Sequence, residues 1–315
     1  MAKIAFVFPG QGSQKVGMCK DFYDNYACAR EVFEQADEAL GFSITKMCFE
    51  GPEADLRLTY NTQPAILTCS IATLAVLREN GLDCEIAGGH SLGEYSALVA
   101  ADAIDFADAV RAVRKRGQFM QEAVPVGEGA MAAVMGLSAE DIVTICNEVE
   151  AECKQVVQAV NFNCPGQVVI AGAAPAVERA IEALKDAGAR RAVSLPVSAP
   201  FHSTLMQPAA LRLKEVLDGI EFRDAKFPVV ANVTAKPVVK GEEIRDLLVK
   251  QAASPVQWEV SMRNMIEAGF DTFVEVGPGR VLTGFTRKID REMNALNVED
   301  TASLEKTLAY FKEVR

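Results

Sequence analysis

The apolar positions along the chain change period several times, and each change predicts an element. Residues 3–8 are mostly β-branched or aromatic and stop at Pro9-Gly10, which predicts a buried first strand. Helical periodicity over 21–40 ends at Gly41, and over 63–80 it ends before Gly81. A short strand is expected at 85–88, followed by helices over 91–101 and 106–124. The rhythm then tightens. A strand over 130–137 leads into a helix N-capped by Ser138 that runs to about 151. Strands 156–163 and 167–173 are joined by Cys164-Pro165-Gly166, a hairpin signal. A helix over 175–187, with Pro175 in its first turn, and a strand over 189–197 close this stretch. A helix over 207–217 and strands at 227–232 and 272–276, with helices between and after them, complete the chain.

The middle stretch reads β-α-β-β-α-β, the ferredoxin-like pattern. Around it, strands alternate with helices, which predicts a mainly parallel sheet covered on both faces. The expected fold class is therefore α/β, with a large hydrolase-like domain in two parts, 1–126 and 199–315, and an inserted ferredoxin-like subdomain at 127–198.

Composition narrows the function without naming it. The 315 residues are half apolar, enough for a large core. A formal charge of −11 argues against a nucleic-acid surface, while leaving room for a locally positive pocket. The apolar run at 4–8 is too short for a signal peptide, and no stretch approaches the roughly 20 apolar residues of a membrane span, so a cytoplasmic protein is expected. Eight cysteines without a CxxC pair, beside only two histidines, speak against a metal site. Most of these cysteines read as small buried apolar residues in a reducing compartment.

The chemistry concentrates at Gly89-His90-Ser91-Leu92-Gly93, a G-x-S-x-G between a short strand and a helix, the setting of a nucleophile elbow. The glycines permit a tight bend. The bend lifts the Ser91 hydroxyl to where the next helix aims its amides and positive dipole end. The Leu92 N–H is then a candidate oxyanion donor. A serine nucleophile needs a base. His90 adjoins it at a sharp turn and is expected to point elsewhere, which leaves His202, in the loop Ser198-Ala199-Pro200-Phe201-His202-Ser203. No acidic partner for His202 stands out, so a main-chain carbonyl is expected to orient its ring. The loop Phe8-Pro9-Gly10-Gln11-Gly12-Ser13-Gln14 follows the first strand and lacks the Lys-Ser/Thr of a P-loop; it reads as a second source of oxyanion donors.

On the 106–124 helix, Arg116 lies about 60° from the middle of the apolar stripe, Arg114 about 100° and Lys115 about 160°. Arg116 is thus placed at the core's edge, where it needs an anionic partner. Periodicity leaves two open: a ligand carboxylate gripped by parallel N–H···O bonds, or an Asp or Glu of the same chain. Three function classes also remain open on these residues: an acyltransferase, an esterase or thioesterase with water as acceptor, and a non-enzymatic acyl-CoA-binding subunit. The presence of both Ser91 and His202 favours an enzyme.

Taken together, the ordered motifs resemble the bacterial malonyl-CoA:acyl carrier protein transacylase family along the whole chain. They are the 7–14 loop, Gln63-Pro64-Ala65, the 88–97 elbow, Arg116-Gly117, Asn163-Cys164-Pro165-Gly166-Gln167, the His202 loop and Glu275-Val276-Gly277-Pro278-Gly279. The resemblance implies that Ser91 is the acylated nucleophile and His202 its base. It also implies an oxyanion hole from the N–H groups of Gln11 and Leu92, a malonyl carboxylate on Arg116, and a Gln251 main-chain carbonyl that orients His202. Asn163 and Gln63 match pocket positions. The inserted ferredoxin-like unit fits the family. Phe201 before His202 resembles the malonyl-selecting form of related synthases, and Cys164 departs from the Ser of many relatives. The partners implied are malonyl-CoA and acyl carrier protein, in fatty acid biosynthesis, with no cofactor beyond the coenzyme A thioester itself and with the enzyme a monomer. An acidic carrier calls for a basic patch, for which Arg190, Arg191, Arg287 and Lys288 are candidates.

Overall fold

The strand over Ile4–Phe8 (β1) is central because its apolar run is continuous, which suits a strand buried on both faces. The computed structural model describes residues 3–197 and 199–314. Ser198, the predicted boundary of the insertion and first residue of the His202 loop, lies outside the described residues, as do Met1, Ala2 and Arg315. The remaining strands are β2 (Ile86–Gly89), β3 (Gly129–Met135), β4 (Val157–Cys164), β5 (Gln167–Ala173), β6 (Arg191–Ser194), β7 (Val229–Val230), β8 (Pro237–Val238), β9 (Thr272–Val276) and β10 (Asn294–Val298).

Six of these form one sheet in the order β10-β9-β1-β2-β7-β8, parallel throughout except for the β7–β8 pair. Alternate residues of β1 feed two cores. Phe6 and Phe8 join the larger one, beneath the helices Ala27–Leu40, Thr59–Glu79 and Phe106–Glu122. Ala5 and Val7 face the other, with Trp258, Met262, Met265 and Phe285 from the helices Trp258–Glu267 and Val281–Ile289. The β1–β2 register pairs Phe8 with Gly89, so both strands end at one level. Their following loops therefore lie side by side beyond the carboxyl edge, where open α/β sheets bind ligands.

The other four strands form an antiparallel sheet in the order β4-β5-β3-β6. Helices Ala139–Cys153 and Ala174–Asp186 cover it with a separate core built on Ile142, Val149, Ile170, Val177 and Leu184. β4 ties this unit to the rest: Phe162 N–H donates to Val256 O at 3.0 Å and Val256 N–H to Val160 O at 2.8 Å. Irregularities in β4 at Ala159/Asn161 and Phe162/Cys164 bend it there, and such bulges re-aim side chains.

Several expectations shift. The single helix over 21–40 is two, Lys20–Asn25 and Ala27–Leu40, broken at an extended Tyr26. Arg30 repairs the break by donating to Tyr23 O at 2.9 Å and Asp24 O at 3.3 Å. The strand expected over 227–232 shrinks to β7, because the chain must leave the sheet before Asn232. β8 and β10 were not anticipated. The helix expected from Gln63 begins at Thr59 and carries Pro64 inside it. Pro64 has no N–H for the Tyr60 carbonyl. Arg114 supplies one instead, with Nη1 at 2.7 Å from Tyr60 O, its guanidinium over the Tyr60 and Phe42 rings, and a bond to Asn61 Oδ1. Replacing Arg114 with Leu leaves that carbonyl unpaired. The expected loss is about 1–3 kcal/mol of stability, read from urea unfolding, with catalysis at saturating substrate retained. Among the described residues no helix is long and apolar enough to cross a membrane.

Candidate active site

Ser91 sits at the bend between β2 and the helix Gly93–Ala100 with φ +52°, a left-handed conformation rare for a residue with a side chain. Space around it is minimal. A Cβ on Gly89 would lie 1.9 Å from the Gly93 main chain, and one on Gly93 2.0 Å from Phe8 O. Both glycines are thus demanded by close approach of backbone to backbone.

His202, with φ +63°, comes from the loop after β6 and is 4% exposed. Its Nε2 lies 2.8 Å from Ser91 Oγ and its Nδ1 2.9 Å from Gln251 O. A carbonyl only accepts, so Nδ1 carries the hydrogen and Nε2 is left to accept from the serine hydroxyl. Burial, then the nearby Arg116 charge, push the imidazole down to about 3. It is therefore neutral and able to take a proton throughout the physiological range. Both members of the pair hold strained backbone, which persists only where surroundings over-determine it.

Arg116 is only 1% exposed, deeper than its place on the stripe suggests. Gly117 is the reason, since a Cβ there would sit 2.5 Å from Tyr60 Cα, and its absence lets the helices Thr59–Glu79 and Phe106–Glu122 close up. Arg116 Nη1 donates to Gln63 Oε1 at 2.6 Å, and Nη2 to Gln251 Oε1 at 3.0 Å and Ser91 Oγ at 3.1 Å. Its Nε has no partner among the described residues, and the Tyr95 ring lies 5.7 Å away. Among the described residues no carboxylate forms an ion pair with it. Burial lowers its proton affinity.

These groups line a cavity of about 120 Å³, together with Gln11, Leu92, Met120, Asn161 and Phe201. A second cavity of about 320 Å³ adjoins it and shares Gln11, His90, Asn161 and Leu195. Asn163 lines only the second of the two. Its Oδ1 lies 2.8 Å from His90 Nε2, and burial depresses the proton affinity of that imidazole. His90 thus points away from Ser91, toward Asn163 and the Trp258 ring. Gln11 anchors its side chain on Thr59 Oγ1 at 3.2 Å. The four basic residues are exposed. Arg191 and Gln167 both pair with Met135 across the antiparallel sheet, and Lys288 Nζ reaches Gln167 Oε1 at 3.3 Å. Gln167 lines the larger cavity, so Lys288 stands at its edge, whereas Arg287 lines a separate cavity with Arg280 and Asn297.

The acyl transferase domain family matches residues 5–307. A malonyl CoA-acyl carrier protein transacylase of Bacillus subtilis is 49% identical over 313 residues, 99% of this chain and 98% of that one. The chain belongs to the malonyl CoA-acyl carrier protein transacylase family. Solved structures of this family superpose closely. An acyl carrier protein S-malonyltransferase from Vibrio cholerae matches with a TM-score of 0.94 at 46% identity, covering 97% of this chain and all of that one. A malonyl-transacylase solved in complex with a type II PKS acyl-carrier protein matches with a TM-score of 0.95 at 48% identity, over 98% of this chain and all of that one.

Sequence reasoning missed three residues of this site: Glu94, Asn161 and Asn232. A charged residue inside the apolar run Gly93–Ala100 was the available signal for Glu94. Asn232 was hidden within a predicted strand. Asn161 is exposed to both cavities by the bulge in β4, which periodicity does not register.

Proposed function

We propose that the protein moves a malonyl group from malonyl-CoA to the pantetheine thiol of an acyl carrier protein through an ester on Ser91. One observation carries the reading: a buried guanidinium without an ion-pair partner among the described residues, 3.1 Å from the nucleophile, inside a cavity the size of a small acyl group. A dicarboxylic acyl thioester supplies the missing anion and, at its other end, the electrophile. His202 Nε2 takes the Ser91 proton as Oγ attacks the thioester carbon. The oxyanion forms toward the N–H of Leu92, at the start of the elbow helix, and that of Gln11, where oriented donors in a dry site contribute most. The tetrahedral centre collapses, and the coenzyme A sulfur leaves with the proton from His202. The carrier's thiol then attacks the ester by the same steps in reverse, with Ser91 as leaving group.

The 320 Å³ cavity next to the dyad suits the pantetheine arm, and Lys288, bonded to its lining residue Gln167, suits an acidic carrier. Residues 127–198 act in this reading as an inserted subdomain that walls the cleft through β4. Phe201, 9% exposed at the cavity wall, leaves little room for an α-methyl branch. The enzyme works as a cytoplasmic monomer, with no cofactor besides its thioester substrate.

Intact-mass measurement tests this. Malonyl-CoA should add one malonyl group to the protein, acetyl-CoA and methylmalonyl-CoA far less, and added holo-carrier protein should remove it. Release as free malonate at the same rate without carrier would instead identify a thioesterase.

A further inference from the structure

A carboxylate at the start of the elbow helix takes no part in the steps above, yet both halves of the dyad lead to it. Glu94 is 3% exposed. Its Oε2 accepts from the Asn232 main-chain N–H at 3.0 Å and from Gln251 Nε2 at 2.7 Å. Asn232, wholly buried, accepts from Ser91 N–H through Oδ1 at 2.7 Å and donates through Nδ2 to Gly89 O at 2.7 Å. One amide therefore spans the bend on both sides of the strained serine. Gln251 offers its carbonyl to His202 Nδ1, while its side chain lies between Arg116 and Glu94. Chemistry fixes that amide's orientation: a guanidinium only donates, so Oε1 faces Arg116, and Nε2 is left for Glu94 and for Ser91 O at 2.9 Å.

Resting on the reaction just described, we propose that Glu94 is the positioning residue of the dyad, acting through Asn232 on Ser91 and through Gln251 on His202 and Arg116. Its two acceptor bonds are charge-assisted, hence short and directional. Its charge also balances the buried Arg116 across a single amide. Catalysis is sensitive to such support, because a misplacement of about 1 Å costs on the order of 10²-fold in rate.

The charge gives the role a signature. Burial pushes the Glu94 carboxyl up to about 7, against the lowering effects of its two hydrogen bonds and of Arg116. Few other groups face it. β1, β2 and β7, packed against its helix, carry no ionisable side chain. Helix Phe106–Glu122 brings Arg116, and helix Thr59–Glu79 brings Cys69 and Arg78, the latter tied to Ala100 O and Asp83. Tyr95 is its own neighbour, and burial pushes its hydroxyl up, away from ionisation. His202 and His90 stay neutral at this pH. In the helix Gly241–Gln251, Arg245 pairs with Asp218 and Asp246, and Glu242, Glu243 and Lys250 are exposed. Protonation of Glu94 weakens its acceptor bonds and removes the counter-charge, so activity falls as pH drops through about 7.

The test compares wild type, Glu94→Gln and Glu94→Ala for malonyl transfer, with thermal unfolding as a control for folding. Glu94→Ala should lower kcat about 10²-fold with KM for malonyl-CoA changed less than about threefold. Glu94→Gln keeps an acceptor oxygen but not the charge. It should stay, at every pH, near the reduced rate of wild type with Glu94 protonated, and so lose the acid limb that wild type shows around pH 7. A folded Glu94→Ala with wild-type kcat overturns the proposal. So does a Glu94→Gln profile that keeps the wild-type limb, and this second variant decides the matter should the alanine protein not fold. A wild-type enzyme that takes up no malonyl group overturns the reaction itself, and this proposal with it.

Discussion

A Ser91→Ala protein should take up no malonyl group, and its turnover should fall by on the order of 10⁴-fold or more. Among the described residues, only Ser91 Oγ lies both 2.8 Å from His202 Nε2 and within reach of the guanidinium, so no neighbouring atom there replaces it as nucleophile. Substrate binding should survive, because Arg116 keeps its bonds to Gln63 and Gln251 when the hydroxyl is gone. Calorimetric titration with malonyl-CoA should accordingly give a dissociation constant within about tenfold of wild type, measured beside the mass-spectrometric loss. His202→Ala should cost a comparable factor, and the double variant little more, since the two act as one unit. The neutral imidazole makes the comparison clean. Burial holds it to about 3, so acidification to about pH 6 leaves the base in its working form. A Ser91→Ala protein that still takes up a malonyl group at another residue and passes it to the carrier would end the elbow account.

How far the sequence discloses this site depends on whether each feature is local. β1 is legible as an unbroken apolar run, and the elbow as two glycines around a serine between a strand and a helix. The family resemblance adds the long-range partners that local reasoning cannot supply. Arg116 shows the limit of periodicity. Its angle on the helix placed it at the core's edge, but its full burial depends on Gly117 meeting Tyr60 on another helix. Pro64 misled in the same way, since it reads as a helix boundary until Arg114, 54 residues away from Tyr60, makes good the missing bond. Asn232 lies 141 positions from Ser91, and Glu94 lies 157 from Gln251. Nothing in either neighbourhood announces a polar network, and Asn232 looked like the end of a strand. Such contacts follow from the parallel sheet, which brings the carboxyl ends of distant strands to one level.

Replacing Arg116 with Ala should reduce kcat/KM for malonyl-CoA by on the order of 10²–10³-fold, the effect of removing one partner from a buried ion pair. Acetyl-CoA should be used as well as before or better. An acetyl group gives the guanidinium no anion in direct contact, so in wild type it meets a buried cation countered only through Gln251 by Glu94; the variant offers it an apolar wall with Met120 and Phe201 instead. The ratio of the two substrates is therefore the sensitive readout, more than either rate alone. A second consequence follows from charge. Arg116 is among the causes that depress His202, so its removal should raise the imidazole's proton affinity, still against the larger effect of burial. Arg116→Lys separates charge from geometry. It keeps the cation but loses the planar fork that holds Gln63 and Gln251 together, and should fall between wild type and alanine for malonyl-CoA. Normal malonyl kinetics in the alanine variant would show that the substrate carboxylate is held elsewhere. The buried guanidinium would then be a structural cation, balanced through Gln251 by Glu94 alone.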